Sequence, residues 1–127
     1  MMKCVLIIVL LQFCCSFQLD VNLNNEIIRN LRELRGKVTF PKPSPIPGKN
    51  MTSHPSRCLG TFSKALRHLL RNVTQKKSVE IQIEKLNSNL RLLETHQQHE
   101  SQCKMTNETF NPLNHYINFV KKLNNGR

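Results

Sequence analysis

Apolar residues recur at helical spacing in four stretches of the chain. In the first, Leu23, Ile27, Ile28, Leu31 and Leu34 share one face, and Gly36 follows as a stop. The second carries a broader stripe of Leu59, Phe62, Ala65, Leu66, Leu69, Leu70 and Val73. In the third, Val79, Ile83, Leu86, Leu90 and Leu93 step by four and three, with Ile81 and Leu92 widening the face. The fourth has Leu113, Tyr116, Ile117, Val120 and Leu123. It opens on Asn111–Pro112, a cap residue followed by a proline where no amide donor is needed, and Gly126 comes after its end. Period-two alternation, the mark of a half-buried strand, is almost absent. The expected fold class is all-α.

The connections set the order of these helices. "KVTFPKPSPIPGKNMTSHP" joins the first to the second and holds five of the six prolines, so it is expected to be non-helical and extended along the surface. A short polar link around Thr74–Lys77 joins the second to the third, and the long polar "THQQHESQCKMTNETF" joins the third to the fourth. Helices of about 15 residues are about 22 Å long. A short link makes its helices antiparallel neighbours, whereas a long one runs the length of a helix and permits parallel neighbours. Long, short, long therefore predicts an up-up-down-down four-helix bundle with two long crossover loops. Val38 and Phe40 are expected to form a short strand against the last crossover near Lys104–Thr106.

The N-terminus reads as an address. Lys3 is followed by the apolar run Val5–Leu11 and by small side chains at Cys14 and Ser16, the order of a secretory signal peptide. The run is too short for a membrane span of about 20 residues. Residues 1–16 are thus expected to be removed, leaving 17–127 as one secreted, extracellular domain. Cleavage takes Cys4, Cys14 and Cys15 with it and leaves Cys58 and Cys103. In an oxidising compartment these form one disulfide, within the chain or, alternatively, between two chains. An intrachain bridge fits the bundle, because the start of the second helix and the last crossover lie at one end of it. It would contribute on the order of 3–4 kcal/mol in the chain-entropy model.

Charge narrows the partners. The chain carries 19 Lys and Arg against 8 Asp and Glu, a net charge of +11, one unit less once Lys3 leaves. A polyanion or an acidic protein face matches that balance. Secretion argues against nucleic acid, as do the absence of Trp and the single Tyr, which give bases no stacking platform. Only Lys76–Lys77 and Lys121–Lys122 are adjacent pairs, so no strong heparin-type run exists; a solvated basic surface is expected rather than a dedicated polyanion site, with at most weak binding to heparan sulfate. Three sequons, at Asn50, Asn72 and Asn107, are candidate glycosylation sites expected in loops or at helix ends.

Catalytic signatures are missing. His96 and His99 stand close to Glu100, but no HExxH pattern or cysteine pair accompanies them, so no metal or other cofactor is expected. Neither a GxSxG elbow nor a glycine-rich phosphate loop occurs. The expected role is not enzymatic.

These features together resemble the short-chain helical cytokines. "NEIIRNLREL" is similar to the first helix of interleukin-4, "RCLGTFSKALRHLL" to the second-helix start of interleukin-4 and interleukin-2, and "IEKLNSNLRLL" to the third helix of interleukin-4. "NETFNPLNHYINFVKKLNNGR" resembles the last helix of interleukin-4 or interleukin-13. The likeness spans most of residues 17–127 in pattern, with sparse identities. Mammalian interleukin-4 carries further disulfides for which no cysteines exist here, and a single bridge at this position is shared with interleukin-2. The resemblance implies a monomeric immune signalling factor that cross-links type I receptor chains. These would be an interleukin-4 receptor alpha-like chain on the first and third helices, and a common gamma or interleukin-13 receptor-like chain on the first and fourth. It makes Glu26 the main anchor, flanked by Arg29. The family's partner arginine on the third helix falls at Ser88, a departure that leaves Lys85 or Arg91, one turn to either side, to substitute. An interleukin-2-like growth factor and a cationic membrane-active helical protein are the alternatives.

One outcome is checkable directly. Mass spectrometry of the secreted protein without reductant should find a Cys58–Cys103 bridge, no free thiol and a monomeric mass. A covalent dimer would exclude the intrachain pairing.

Overall fold

The computed structural model describes residues 21–100 and 102–125. The expected leader, residues 1–16 with Cys4, Cys14 and Cys15, lies outside the described residues, as does Gly126. The chain is predominantly helical. Helix α1 spans residues 21–34, α2 Lys49–Ser53, α3 Leu59–Leu70, α4 Glu80–Glu94 and α5 Leu113–Asn125. Two strands, β1 (Ser44–Pro47) and β2 (Met105–Thr109), make a small antiparallel ribbon.

The four amphipathic stripes meet in a single core. From α1 it takes Ile27, Ile28, Leu31 and Leu34; from α4, Ile83, Leu86, Leu90 and Leu93. Its centre is aromatic. Phe62 of α3 stacks on Phe119 of α5 with ring centroids 4.2 Å apart, and Tyr116 lies tilted against the same ring at 5.4 Å. Offset aromatic contacts of this kind add to the area they bury. Phe119, fully buried, escapes the sequence stripe because Tyr116, Ile117 and Val120 already account for one face.

Contacts at the helix ends relate the helices to one another. Asn24 donates to Asn124 Oδ1 (2.9 Å) and Arg35 to Asn114 Oδ1 (2.9 Å), so the first turn of α1 meets the last turn of α5, and the end of α1 meets the first turn of α5. The amides of Gly60 and Thr61, opening α3, donate to Gln97 Oε1 (2.9 Å) and Glu100 Oε1 (3.2 Å), just past α4. Beyond the other end of α3, the Thr74 amide donates to the Thr39 carbonyl (3.1 Å), shortly after α1. Buried Ser63 donates to the Leu90 carbonyl (3.1 Å), joining α3 to α4 where a larger side chain would hold them apart.

The first connection departs from expectation in two ways. It contains the short helix α2, because Lys49–Ser53 lies between Pro47 and Pro55 without a proline of its own, and Met51 is fully buried in the core. The strand also falls six residues later than expected, at Ser44–Pro47 rather than at Val38 and Phe40, whose side chains turn into the core. Prolines are tolerated there because both strands of a two-stranded ribbon are edges. Pairing runs from Ser44↔Thr109 to Pro47↔Met105, with a bulge after Pro45. Gly48 follows β1 and donates to the Lys104 carbonyl (3.1 Å); a Cβ there would come within 2.6 Å of that oxygen. Gly36 ends α1 at φ 92°, where a side chain is strained. At α5 the first helical bond is accepted by the Pro112 carbonyl, from Tyr116 at 3.2 Å, so Pro112 rather than Asn111 holds the capping position.

Cys58 and Cys103 are joined within the chain, with Cα atoms 5.6 Å apart and a sequence separation of 45. Close by, the Tyr116 hydroxyl donates to the Pro45 carbonyl (3.2 Å), tying α5 to β1. Burial pushes that hydroxyl well above its ordinary pKa of 10.0. Folded Tyr116 therefore stays neutral at pH values where the unfolded chain ionises. Its contribution to stability is complete below about pH 10 and is lost above it, by up to about 1.4 kcal/mol per pH unit. Tyr116→Phe should cost about 0.5–1.5 kcal/mol near neutrality. In urea titrations this difference should stay level up to about pH 9, then shrink as the pH passes about 10. A difference that never changes with pH would show that the hydroxyl reaches water.

Candidate functional site

Helix α1 borders two surface grooves. The first, shared with α4, is lined by Glu26, Ile81, Glu84, Lys85, Ser88 and Asn89. The second, shared with α5, is lined by Asn25, Arg29, Arg32, Lys121, Asn124 and Asn125 over the buried side chain of Ile28. Both follow from helical periodicity. The inward face of α1 is used by its apolar stripe, so its polar residues flank the core on two sides.

The candidate residues divide between these grooves. Glu26, with 38% of its side chain exposed, lies in the α1–α4 groove together with Lys85, and Ser88 stands between Lys85 and the end of that helix. Arg29 borders the α1–α5 groove and reaches back to form an ion pair with Glu26. Arg91 is exposed on α4 but does not line the groove. Of Lys85 and Arg91, then, Lys85 shares a surface with Glu26 and Arg91 does not.

Ile81 and Leu92 are not core residues. Ile81 is 67% and Leu92 54% exposed. The buried face of the third stripe is already complete with Val79, Ile83, Leu86, Leu90 and Leu93. Ile81, Lys85, Ser88 and Leu92 are spaced four, three, four and so lie along one outward row of α4, with the two apolar ends about 16 Å apart. The sequence signal was present, since two large apolar residues stood off the main stripe.

Other candidates are placed as follows. Asn50 is exposed in α2, and Asn72 is exposed just beyond α3, donating to the His68 carbonyl (3.4 Å). Asn107 belongs to β2 rather than to a loop, with its side chain outside what is described. His96 and His99 follow α4 on the surface. Among the described residues no group of three or more His, Cys, Asp or Glu could hold a metal ion, and no helix is long and apolar enough to cross a membrane.

Among the described residues, the fold and its surfaces define a mostly helical protein with one core, one disulfide and two grooves along α1. Comparison with protein-family models, with curated proteins and with solved structures finds no match. The grooves must be judged by their own chemistry.

Exposure can be tested by stability alone. Ile81→Ser and Leu92→Ser should each stay within about 0.5 kcal/mol of wild type, as surface changes do. Ile83→Ala, on the same helix but buried, should cost about 2–5 kcal/mol in urea unfolding. Comparable losses for Ile81→Ser and Ile83→Ala would return Ile81 to the core.

Proposed function

We propose that the chain is a secreted helical cytokine of the interleukin-4/interleukin-13 type. It binds type I cytokine receptor chains and brings two of them together, so that their associated kinases signal; it carries out no chemistry of its own. The observation that carries this assignment is the α1–α4 groove, in which Glu26 and Lys85 share one surface with the exposed Ile81. A protein interface needs apolar anchors within a polar surround, and this surface offers both. One receptor chain docks here, with Glu26 as anchor, and a second engages α1 and α5.

Topology supports the same assignment. The Asn24–Asn124 and Arg35–Asn114 bonds favour opposed directions for α1 and α5. Gly60–Gln97 favours opposed α3 and α4, and Thr39–Thr74 favours α1 and α3 alongside one another. Together they support an up-up-down-down order with two long crossovers, fastened by Cys58–Cys103. The lone bridge also favours an interleukin-2-like growth factor as a second assignment.

A panel of recombinant receptor ectodomains tests both. Glu26→Gln should weaken binding to the first receptor chain at least tenfold, since truncating one member of a buried interfacial charge pair costs about 2–5 kcal/mol. Its helicity and melting should barely change, because the Glu26–Arg29 pair is partly exposed and worth under about 1 kcal/mol. Glu33→Gln, exposed and about two turns on, should cost much less. Equal affinity of wild type and Glu26→Gln would remove the interleukin-4-like epitope. No saturable receptor binding, with lysis of anionic vesicles instead, would point to a cationic membrane-active protein.

A further inference from the structure

Folding assembles a cationic surface that no adjacent run of the sequence contains. Arg29 and Arg32 stand one turn apart on α1, and Lys121 faces them from α5. The amides of Asn25, Asn124 and Asn125 complete the groove. Asn124 accepts from Asn24 (2.9 Å) and donates to Asn25 Oδ1 (3.0 Å), which fixes the two helices across the groove and orders its amide end.

No carboxylate lines this groove, and α5 contains none along its whole length. Glu26 balances Arg29 alone. Among the described residues, the side chains of Arg32 and Lys121 make neither an ion pair nor a hydrogen bond. A cleft lined by charges of one sign focuses its field, so the potential here exceeds that of the same cations spread over a surface.

The chemistry of the lining selects the class of partner. Apart from Ile28, only 8% exposed, every lining side chain is a cation or an amide. Protein interface cores are built around aromatic or apolar anchors, which this groove lacks, so a receptor chain on α1 and α5 takes its anchors from outside the groove. Anionic groups on a flexible chain need what it does offer: point charges, a planar guanidinium fork and neutral donors at close spacing. The α1–α4 groove, with Ile81 and mixed charges, has the opposite character.

We propose that the α1–α5 groove is a docking site for a sulfated polysaccharide of the heparan sulfate type, with Arg29, Arg32 and Lys121 contacting sulfates and the asparagines contacting sugar hydroxyls. The site depends on exposure of the chain to the extracellular matrix and on no receptor, so it stands or falls separately from the receptor assignment. It also borders the surface assigned to the second receptor chain, so a bound polysaccharide and that chain compete.

The test uses the secreted protein and immobilised heparin at about 0.15 M salt, where exposed charges are already well screened. Arg32→Gln/Lys121→Gln should lower affinity at least tenfold and flatten the salt dependence by about two ionic contacts. Lys76→Gln/Lys77→Gln removes the same charge from the exposed α3–α4 link and should lower affinity less than threefold. Chemically desulfated heparin, which keeps its carboxylates, should bind at least tenfold more weakly than heparin. Equal losses in the two double variants would show that binding follows net charge, and the site would be withdrawn. An Arg32→Gln/Lys121→Gln protein that keeps the heparin affinity of the wild type would equally overturn the proposal.

Discussion

A chain this small cannot leave two long polar connections loose around its core, and the fold depends on how they are fastened together. The covalent link from Cys58 to Cys103 joins the start of α3 to the approach of β2. From there β2 pairs with β1, so the last connection holds the first. Tyr116 then ties β1 to the aromatic centre through the Pro45 carbonyl. Each fastening shortens the loop that the next must close, which lowers its entropic cost. The chain-entropy model assigns about 4 kcal/mol to a covalent loop of this length, a large share of the stability of any domain of this size.

The helices were legible because burial dictates their period. Leu31 and Leu34, or Leu86 and Leu90, recur every three or four residues, and all four are fully buried. The first connection was less legible, since its structure depends on partners remote in sequence. Nothing within "SPIP" announces a strand; Ser44–Pro47 becomes one because Met105–Thr109 offers free edge groups and Gly48 lets the chain approach Lys104. Met51 likewise nucleates a helix of five residues only because the core accepts it. Ser63 reads as a polar interruption of a stripe, yet it is wholly buried, and its bond to Leu90 is visible only once α3 and α4 are packed.

Surface chemistry was half legible. Period alone puts Glu26 beside the core stripe, but pairing it with Lys85 rather than Arg91 needs the juxtaposition of α1 and α4. Ile81 and Leu92 were misplaced because apolarity predicts burial only in the aggregate, and folded surfaces retain much apolar area. Two such residues on a single outward row, bracketing Lys85 and Ser88, differ from singly scattered exposure. The cationic groove was invisible for the opposite reason. Its residues lie about ninety positions apart, so adjacency in the sequence could not report it.

Helix α1 is the common border of both surfaces, and Glu26 and Arg29, three residues apart, straddle that border. The pair is partly exposed, so its members hold one another only weakly. An isolated Glu26 in a mixed groove and an isolated Arg29 in a basic one would each impose a fixed charge on its partner. Joined, they offset each other's charge where the two grooves meet. One partly exposed contact thus joins the mixed groove to the basic one along a single helix.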